Sequence, residues 1–423
     1  MKLKAHKLAA LISAAVLAVS SAGCGSAGVR DHAGLDNGKD DPKPSAVTTS
    51  PEEITPKGDT QNGEQGGGKK PAKSNEPEPS YSVSFLCAGD NLIHDNIYKE
   101  AWRLGNEDHY DFTRAYEHVE RYFDGVDLAI LNQETLVTDA YEPQSYPMFC
   151  SPTAVGDKAV ELGFNVISMS NNHVLDMGAE GLISSLDYWD TKPVVHYGAY
   201  RSEEDAEDIK TMEVNGITFA FLGYMEHTNY IYLGEDDPGA VVYLEEEDRI
   251  KEQIERADEL ADVVVVSCHY GTEIMNELNQ QQIEITPKLV EWGADLIIGT
   301  QAHTISTCEY IDKPDGGQAF VYYGLGNFIS TMYDIKSLVG IVGKMNIIKD
   351  PDSGSVTFEN VKAIPVISHF EADSYDGDWY NCAVYPYAEY TDDLFYANYV
   401  YGFTRDTVEQ CLSYIPEEFL SIE

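Results

Sequence analysis

The 423-residue chain carries 72 Asp and Glu against 28 Lys and Arg, a formal charge of −44, with 43% apolar and 11% aromatic residues. That apolar and aromatic share is too high for a disordered acidic chain, so most of it is expected to fold. The charge argues against a nucleic-acid partner, because counterion release needs Lys and Arg set against phosphates, and it favours metal ions, sugars or neutral groups as ligands.

Chain order begins with an address. Lys2, Lys4 and Lys7 precede an apolar run from Leu8 to Val19 and the small-residue stretch Ser20-Ser21-Ala22-Gly23-Cys24. This is the order of a secretory signal, and the run is short for a permanent membrane span. Its Ala22-Gly23-Cys24 ending resembles a bacterial lipobox, which implies cleavage before Cys24 and lipidation of its thiol. Residues 25–80 hold nine Gly, seven Pro and no Phe, Trp or Tyr. They are expected to form a disordered tether, with a reach of roughly 40 Å. The expectation is therefore a lipid-anchored protein outside the bacterial cell membrane, its whole negative excess in residues 81–423. Cys87, Cys150, Cys268, Cys308, Cys382 and Cys411 show no CxxC metal spacing, and buried free thiols are at least as good a reading as disulfides.

From residue 83 short apolar runs alternate with helical patterns. Strands are expected at Val83–Ala88, Val126–Leu131, Phe164–Met169, Ile217–Leu222, Val263–Ser267 and Leu296–Ile298. Helices are expected at Pro152–Leu162, Gly178–Asp190, Leu244–Leu260 and Gln280–Trp292. Alternation of this kind points to an α/β layered fold. After about residue 305 only strands follow (Ile305–Ile311, Ala319–Tyr323, Val339–Ile348, Val356–Val366), suggesting a second sheet and a four-layer α-β-β-α sandwich. Gly326-Asn327 reads as a turn holding that sheet to the rim. Residues 371–423 are set apart as an aromatic-rich extension. Phe370 to Phe403 carries twelve aromatics, better read as packing over the core than as a stacking surface.

Five strand ends carry metal-ligating chemistry: Gly89-Asp90, Asn132-Gln133-Glu134, Asn171-Asn172-His173, His269 to Glu273, and Gly299 to His303. Ligands in open α/β sheets bind beyond the carboxyl ends of the strands, so these groups would converge on one rim. Imidazole, carboxylate and amide oxygens suit a divalent transition metal (Zn, Mn or Fe), as one ion or two bridged by a carboxylate.

The same residues, with Asp176, Gly178 and Tyr323-Gly324-Leu325-Gly326-Asn327-Phe328, resemble the CapA family, the bacterial capsule or poly-γ-glutamate synthesis proteins, over about residues 82–370. The resemblance implies a metallo-dependent phosphatase fold and a surface role in synthesis, export or retention of the capsule. The partner would be a cell-surface polymer or its synthase complex. It also implies Asp90, Glu134, Asn172, His269 and His303 as metal ligands, Glu134 bridging, with His173 and Asp90 carrying catalysis. His94 and Asn132 are second-rank candidates, and Glu273 is a candidate partner for an imidazole N–H. Two positions depart from the family pattern: Thr300 stands where an imidazole is expected, and Asn132-Gln133-Glu134 replaces Asn-Leu-Glu. A surface metallophosphoesterase and a non-catalytic anchoring subunit stay open as alternatives, because fold alone does not choose among them.

Overall fold

The computed structural model describes residues 81–423 except 315, 375 and 376. The expected leader, Cys24, the tether and Tyr375 lie outside the described residues. The strands are β1 (Ser82–Asn91), β2 (Leu128–Asn132), β3 (Leu136–Val137), β4 (Cys150–Ser151), β5 (Val166–Ser168), β6 (Val195–Tyr197), β7 (Lys210–Val214) and β8 (Ile217–Met225). They continue as β9 (Val263–Tyr270), β10 (Leu296–Gln301), β11 (Cys308–Asp312), β12 (Gln318–Tyr322), β13 (Asn327–Ile329), β14 (Val339–Lys349), β15 (Val356–Ala372) and β16 (Trp379–Pro386). The helices are α1 (Asp95–Leu104), α2 (Thr113–Tyr116), α3 (Thr153–Leu162), α4 (Gly178–Trp189), α5 (Glu203–Ala206), α6 (Glu247–Leu260), α7 (Gln280–Trp292), α8 (Asp392–Ala397) and α9 (Arg405–Leu412).

An eight-stranded sheet runs β16-β15-β14-β1-β2-β5-β6, with β13 also pairing β1; a six-stranded sheet runs β11-β12-β10-β9-β8-β7. Each has a parallel centre, β1-β2-β5-β6 in one and β8-β9-β10 in the other. The period-2 alternation of strand side chains separates two cores. Val263, Val265, Leu296 and Ile298 enter the core shared with the eight-stranded sheet. Val264, Val266 and Ile297 face Ile250, Ile254 and Ala257 of α6 and Ile285, Leu289 and Val290 of α7. Helices α3 and α4 pack their buried faces into the first core. The layers are thus α-β-β-α. Each fully buried Val or Leu in these strands contributes roughly 1.5–3 kcal/mol.

One expectation is corrected by this topology. The strands after residue 305 do not form a second sheet of their own: β11 and β12 extend the sheet begun by β8–β10, whereas β14, β15 and β16 extend the one begun by β1. Both parallel centres leave an open edge of unpaired backbone groups, and the late strands cover both. β15 continues to Ala372 and pairs with β16, so Glu371, Ala372 and Trp379–Pro386 belong to the eight-stranded sheet. Trp379, Tyr385, Tyr387, Tyr390 and Phe403 are buried in its core, while Tyr396 and Tyr401 are exposed.

Close backbone crossing positions the rim. A Cβ on Gly89 would lie 1.9 Å from the Gly326 carbonyl oxygen, and one on Gly299 would lie 2.1 Å from that of Tyr323. Only glycine admits the segment 323–327 against the ends of β1 and β10. The Asp90 N–H donates to Gly326 O and the Leu325 N–H to Gly299 O, both at 3.0 Å. The turn at Gly326-Asn327 thereby ties the two sheets together.

Candidate metal centre

Register brings the strand ends together. Asp90 lies opposite Asn132 and Asn327, Asn132 opposite Ser168, and His269 opposite Thr300. Ligand atoms of Asp90, Glu134 and His303 all fall within 4.8 Å of one another, and all three residues are buried. His303 Nδ1 is 3.1 Å from Asp90 Oδ2 and 3.0 Å from Asn327 Oδ1. On its other side, His303 Nε2 lies 3.7 Å from Glu134 Oε1. His269 Nε2 approaches the same Glu134 oxygen at 3.6 Å and the Asn172 Oδ1 at 3.0 Å. Glu134 Oε1 therefore stands between two imidazoles, the placement of a bridging ligand.

The electrostatics of these residues favour a cation among them. Neither oxygen of Glu134 has a hydrogen-bond partner, although the side chain is fully buried. Burial and the facing Asp90 hold its carboxyl well above the usual carboxylate range. Burial opposes the charged form of His303 too, yet Glu134 and Asp90 outweigh it and raise the imidazole to about 10. His269 is driven well below its ordinary value by burial and by His303, so it is neutral and able to ligate. Buried polar groups ordinarily find partners. An orphaned carboxylate beside a second carboxylate and neutral imidazole is a donor set that fits a divalent metal.

The supporting residues hold these groups in place. Asn132 Nδ2 donates to Asp90 Oδ1 at 2.7 Å, so Asn132 orients the aspartate. Gln133 faces away, accepting from Asn91 Nδ2 at 2.7 Å and reaching Thr135. Thr300 does not leave a gap where an imidazole was expected: its Oγ1 is 2.8 Å from His269 Nδ1 and sets the ring so that Nε2 faces Asn172 and Glu134. His173 pairs Nδ1 with Asp176 Oδ2 at 2.7 Å, and its ring meets the edge of Phe149 at 4.7 Å between centroids. With Nδ1 directed at the carboxylate, Nε2 is the ring atom available to a substrate.

Two second-rank residues lie behind or outside the cluster, His94 across the Phe149 ring from His173. His94 caps α1, with Nδ1 3.2 Å from the Leu92 carbonyl and 3.3 Å from the Thr331 amide. Glu273 is exposed and is corrected as an imidazole partner: Thr300 holds His269, and Asp90 and Asn327 hold His303. The Glu273 charge still raises Glu134 and His303 from the loop after β9.

A sixth strand end joins the rim. β8 runs three residues beyond its expected end at Leu222, and the segment after it carries His227 and Asn229. Asn229 Oδ1 accepts from Asn172 Nδ2 at 3.3 Å, its Nδ2 lies 3.3 Å from His173 Nδ1, and its backbone N–H donates to His227 Nδ1. His227 Nε2 in turn is 3.2 Å from the Gln301 amide nitrogen. Asn229, Tyr230, Ile274, Gln301 and His303 all adopt positive φ without being glycine, a concentration of strained backbone typical of functional sites. A histidine and an asparagine just past a strand were the signal available in the sequence.

Residues 84–332 match the family model for "Bacterial capsule synthesis protein PGA_cap", and the chain belongs to that family. Among curated relatives, it is 27% identical over 272 residues to the capsule biosynthesis protein CapA of Bacillus anthracis (61% of this chain, 62% of that one). It is 28% identical over 252 residues to the PGA biosynthesis protein CapA of Bacillus subtilis strain 168 (59% and 63%). The chain thus spans less than two thirds of the length of these relatives. Among solved structures, a phosphatase from Mycoplasma pneumoniae aligns at a TM-score of 0.42 and 13% identity, covering 68% of this chain and 94% of the other. Among the described residues no helix is long and apolar enough to cross a membrane.

Proposed function

We propose that this protein works at the bacterial surface, held by a lipid on Cys24, in the synthesis, export or retention of a poly-γ-glutamate-type capsule. In this reading its rim is a metal centre that cleaves or transfers a bond in the polymer. The observation that carries the proposal is Glu134, buried with both oxygens unpartnered between Asp90, His303 and His269. Family membership and the printed functions of the CapA relatives support the capsule role.

Asp90, Glu134 and His303 would hold one ion, and Glu134, Asn172 and His269 a second; Mn, Zn or Fe suits these donors. Bound there, such an ion supplies Lewis-acid polarisation and an activated water. The chain supplies the rest. Asp176 engages His173 through Nδ1, leaving Nε2 to give a proton to the leaving group or donate to a developing oxyanion. Asn132 and Thr300 prevent rotation of Asp90 and His269.

The test is elemental analysis of the purified protein followed by assay of metal-loaded wild type, His173→Ala and Asp90→Ala against poly-γ-glutamate and a panel of phosphate esters. The proposal expects bound metal, polymer cleavage or transfer, and loss of activity in both variants with folding retained. Activity on phosphate esters alone would replace it with a metallophosphoesterase, and activity on neither substrate would favour an anchoring subunit.

A further inference from the structure

Asn172 differs from the other residues assigned to the metal centre in having a side chain with two unlike ends. An amide presents an oxygen to one side and an NH2 group to the other, and only the oxygen can hold a cation. Asn172 Oδ1 stands 3.0 Å from His269 Nε2, which also approaches Glu134 Oε1 at 3.6 Å. What turns the oxygen that way lies on the other side of the amide. Among the described residues, Asn172 Nδ2 has one acceptor, Asn229 Oδ1 at 3.3 Å. An acceptor at that place requires the NH2 group to face it, and the oxygen is left for the rim. With an apolar group there instead, nothing would choose between the two orientations.

Asn229 reaches the neighbouring residue as well. Its Nδ2 lies 3.3 Å from His173 Nδ1, the nitrogen that Asp176 engages at 2.7 Å. One side chain thus spans the amide that would hold an ion and the imidazole that would move a proton.

The turn carrying Asn229 is held on both sides. Its backbone is left-handed at φ 51°, as is that of Tyr230 at φ 63°. Asparagine enters this region more readily than most residues, and here it also supplies the amide. Thr228 is fully buried, with Oγ1 donating to the Ile231 carbonyl at 2.6 Å and lying 2.8 Å from the Tyr243 hydroxyl. On the other side the Glu226 N–H donates to the His269 carbonyl at 3.0 Å, so the turn is fastened to the strand that supplies His269. Left-handed backbone outside glycine persists where its surroundings over-determine it, and these contacts do so.

We propose that Asn229 is a positioning residue of this centre: it fixes the Asn172 amide with Oδ1 toward the ion and steadies the His173 ring beside it. The effect on an ion rests on the metal-centre reading, whereas the orientation of the amide belongs to the ion-free chain.

The experiment compares the full-length wild type with Asn229→Gly, Asn229→Asp and Tyr230→Gly. Glycine keeps the left-handed backbone and removes the amide, and aspartate keeps an acceptor at the same reach. Tyr230→Gly changes the same turn at a side chain that is 90% exposed. Side-chain amide NMR of the 15N-asparagine-labelled proteins in EDTA follows the Asn172 NH2 protons, identified by their loss in Asn172→Ala. In Asn229→Gly they should exchange with water roughly tenfold faster than in wild type, and in the other two variants at the wild-type rate. Competition of Mn against a fluorescent chelator should show one ion bound roughly 10- to 100-fold more weakly by Asn229→Gly, with Asn229→Asp and Tyr230→Gly close to wild type. Unchanged exchange in Asn229→Gly, an equal loss in Tyr230→Gly, or failure of Asn229→Asp to restore the wild-type values overturns the proposal. If wild type binds no Mn while the exchange rates behave as expected, the metal-centre reading fails and the hold of Asn229 on the amide stands. If all four proteins bind Mn alike, the centre stands and Asn229 does not position it.

Discussion

Asp90 and Glu134 face one another in the same buried cluster, yet their removal should have different consequences. Asp90 accepts from Asn132 Nδ2 at 2.7 Å and pairs with His303 Nδ1 at 3.1 Å, so it is the carboxylate bonded directly to the imidazolium, which Glu134 supports from the other side of the ring. Glu134 accepts nothing and is pushed toward its neutral form by burial and by Asp90. In metal-free protein Glu134→Gln removes a carboxyl that acts on His303 through space but makes no hydrogen bond, and its cost should stay below that of Asp90→Asn. Asp90→Asn removes, among the described residues, the only carboxylate hydrogen-bonded to buried His303, at a cost of about 3–5 kcal/mol. Metal reverses the comparison for Glu134. An ion at 100 times its dissociation constant stabilises the wild type by about 2.7 kcal/mol, and Glu134→Gln should lose nearly all of that gain. Urea unfolding of the three proteins, in EDTA and in Mn, gives both numbers from the midpoints. If Glu134→Gln costs as much as Asp90→Asn in EDTA, Glu134 is the charge that balances His303 and the reasoning fails. If it keeps the full metal-induced shift, Glu134 is not a ligand.

Thr300→Val removes the hydroxyl that fixes His269 Nδ1 while keeping the shape, and metal affinity should fall by roughly 10- to 100-fold, with Thr300→Ser restoring it; competition with a fluorescent chelator measures this. Stability should also depend on His369, which is buried against Tyr390, Tyr385, Asn398 and Glu371. Burial lowers its imidazole below the ordinary 6.5 despite the Glu371 carboxylate. The unfolded chain then binds the proton more readily, so this contribution is fully present above about pH 6.5 and is lost as pH falls toward the depressed folded value, with a slope of at most about 1.4 kcal/mol per pH unit. Urea midpoints of wild type and His369→Gln between pH 7.5 and 5.0 should diverge in slope, and parallel profiles would refute the assignment.

The strands and helices expected from the sequence were legible because each of those strands is a short apolar run and each of those helices shows one apolar face. Val263 to Val266 announces a buried strand without help from any neighbour. The rim was legible for a related reason: in this architecture a polar residue just beyond such a run has little choice but to point into the shared edge. Sheet membership was not legible. Nothing local in β11 or β14 says which open edge each covers, since that is decided by the crossing of segment 323–327 at Gly89 and Gly299. The partner of His269 was also hidden. The sequence offers Glu273, a carboxylate four residues on, whereas the register across β9 and β10 supplies Thr300, thirty-one residues away. His227 and Asn229 escaped because β8 continues through Gly223 to Met225, and a glycine inside an apolar run reads as its end.

The His303 proton does in the ion-free protein what a cation would do in the loaded one. It places positive charge between two buried carboxyl groups, and this explains why the imidazole is raised to about 10 while its neighbour His269 is held neutral. A metal ion cannot share the space with that proton, because a ligating imidazole must offer a lone pair and a ligating carboxyl must be ionised. Binding near neutral pH should therefore expel the proton of His303 and that of Glu134 together, and affinity should rise with pH across the whole neutral range. Calorimetric titration with Mn in buffers of different ionisation enthalpy reads the number released directly. Glu134→Gln should lower it, and Lys336→Gln, a charge change outside the cluster, should not. Binding without proton release would mean that His303 and Glu134 are already deprotonated before the ion arrives, and the cluster would then be held by some other positive group than His303.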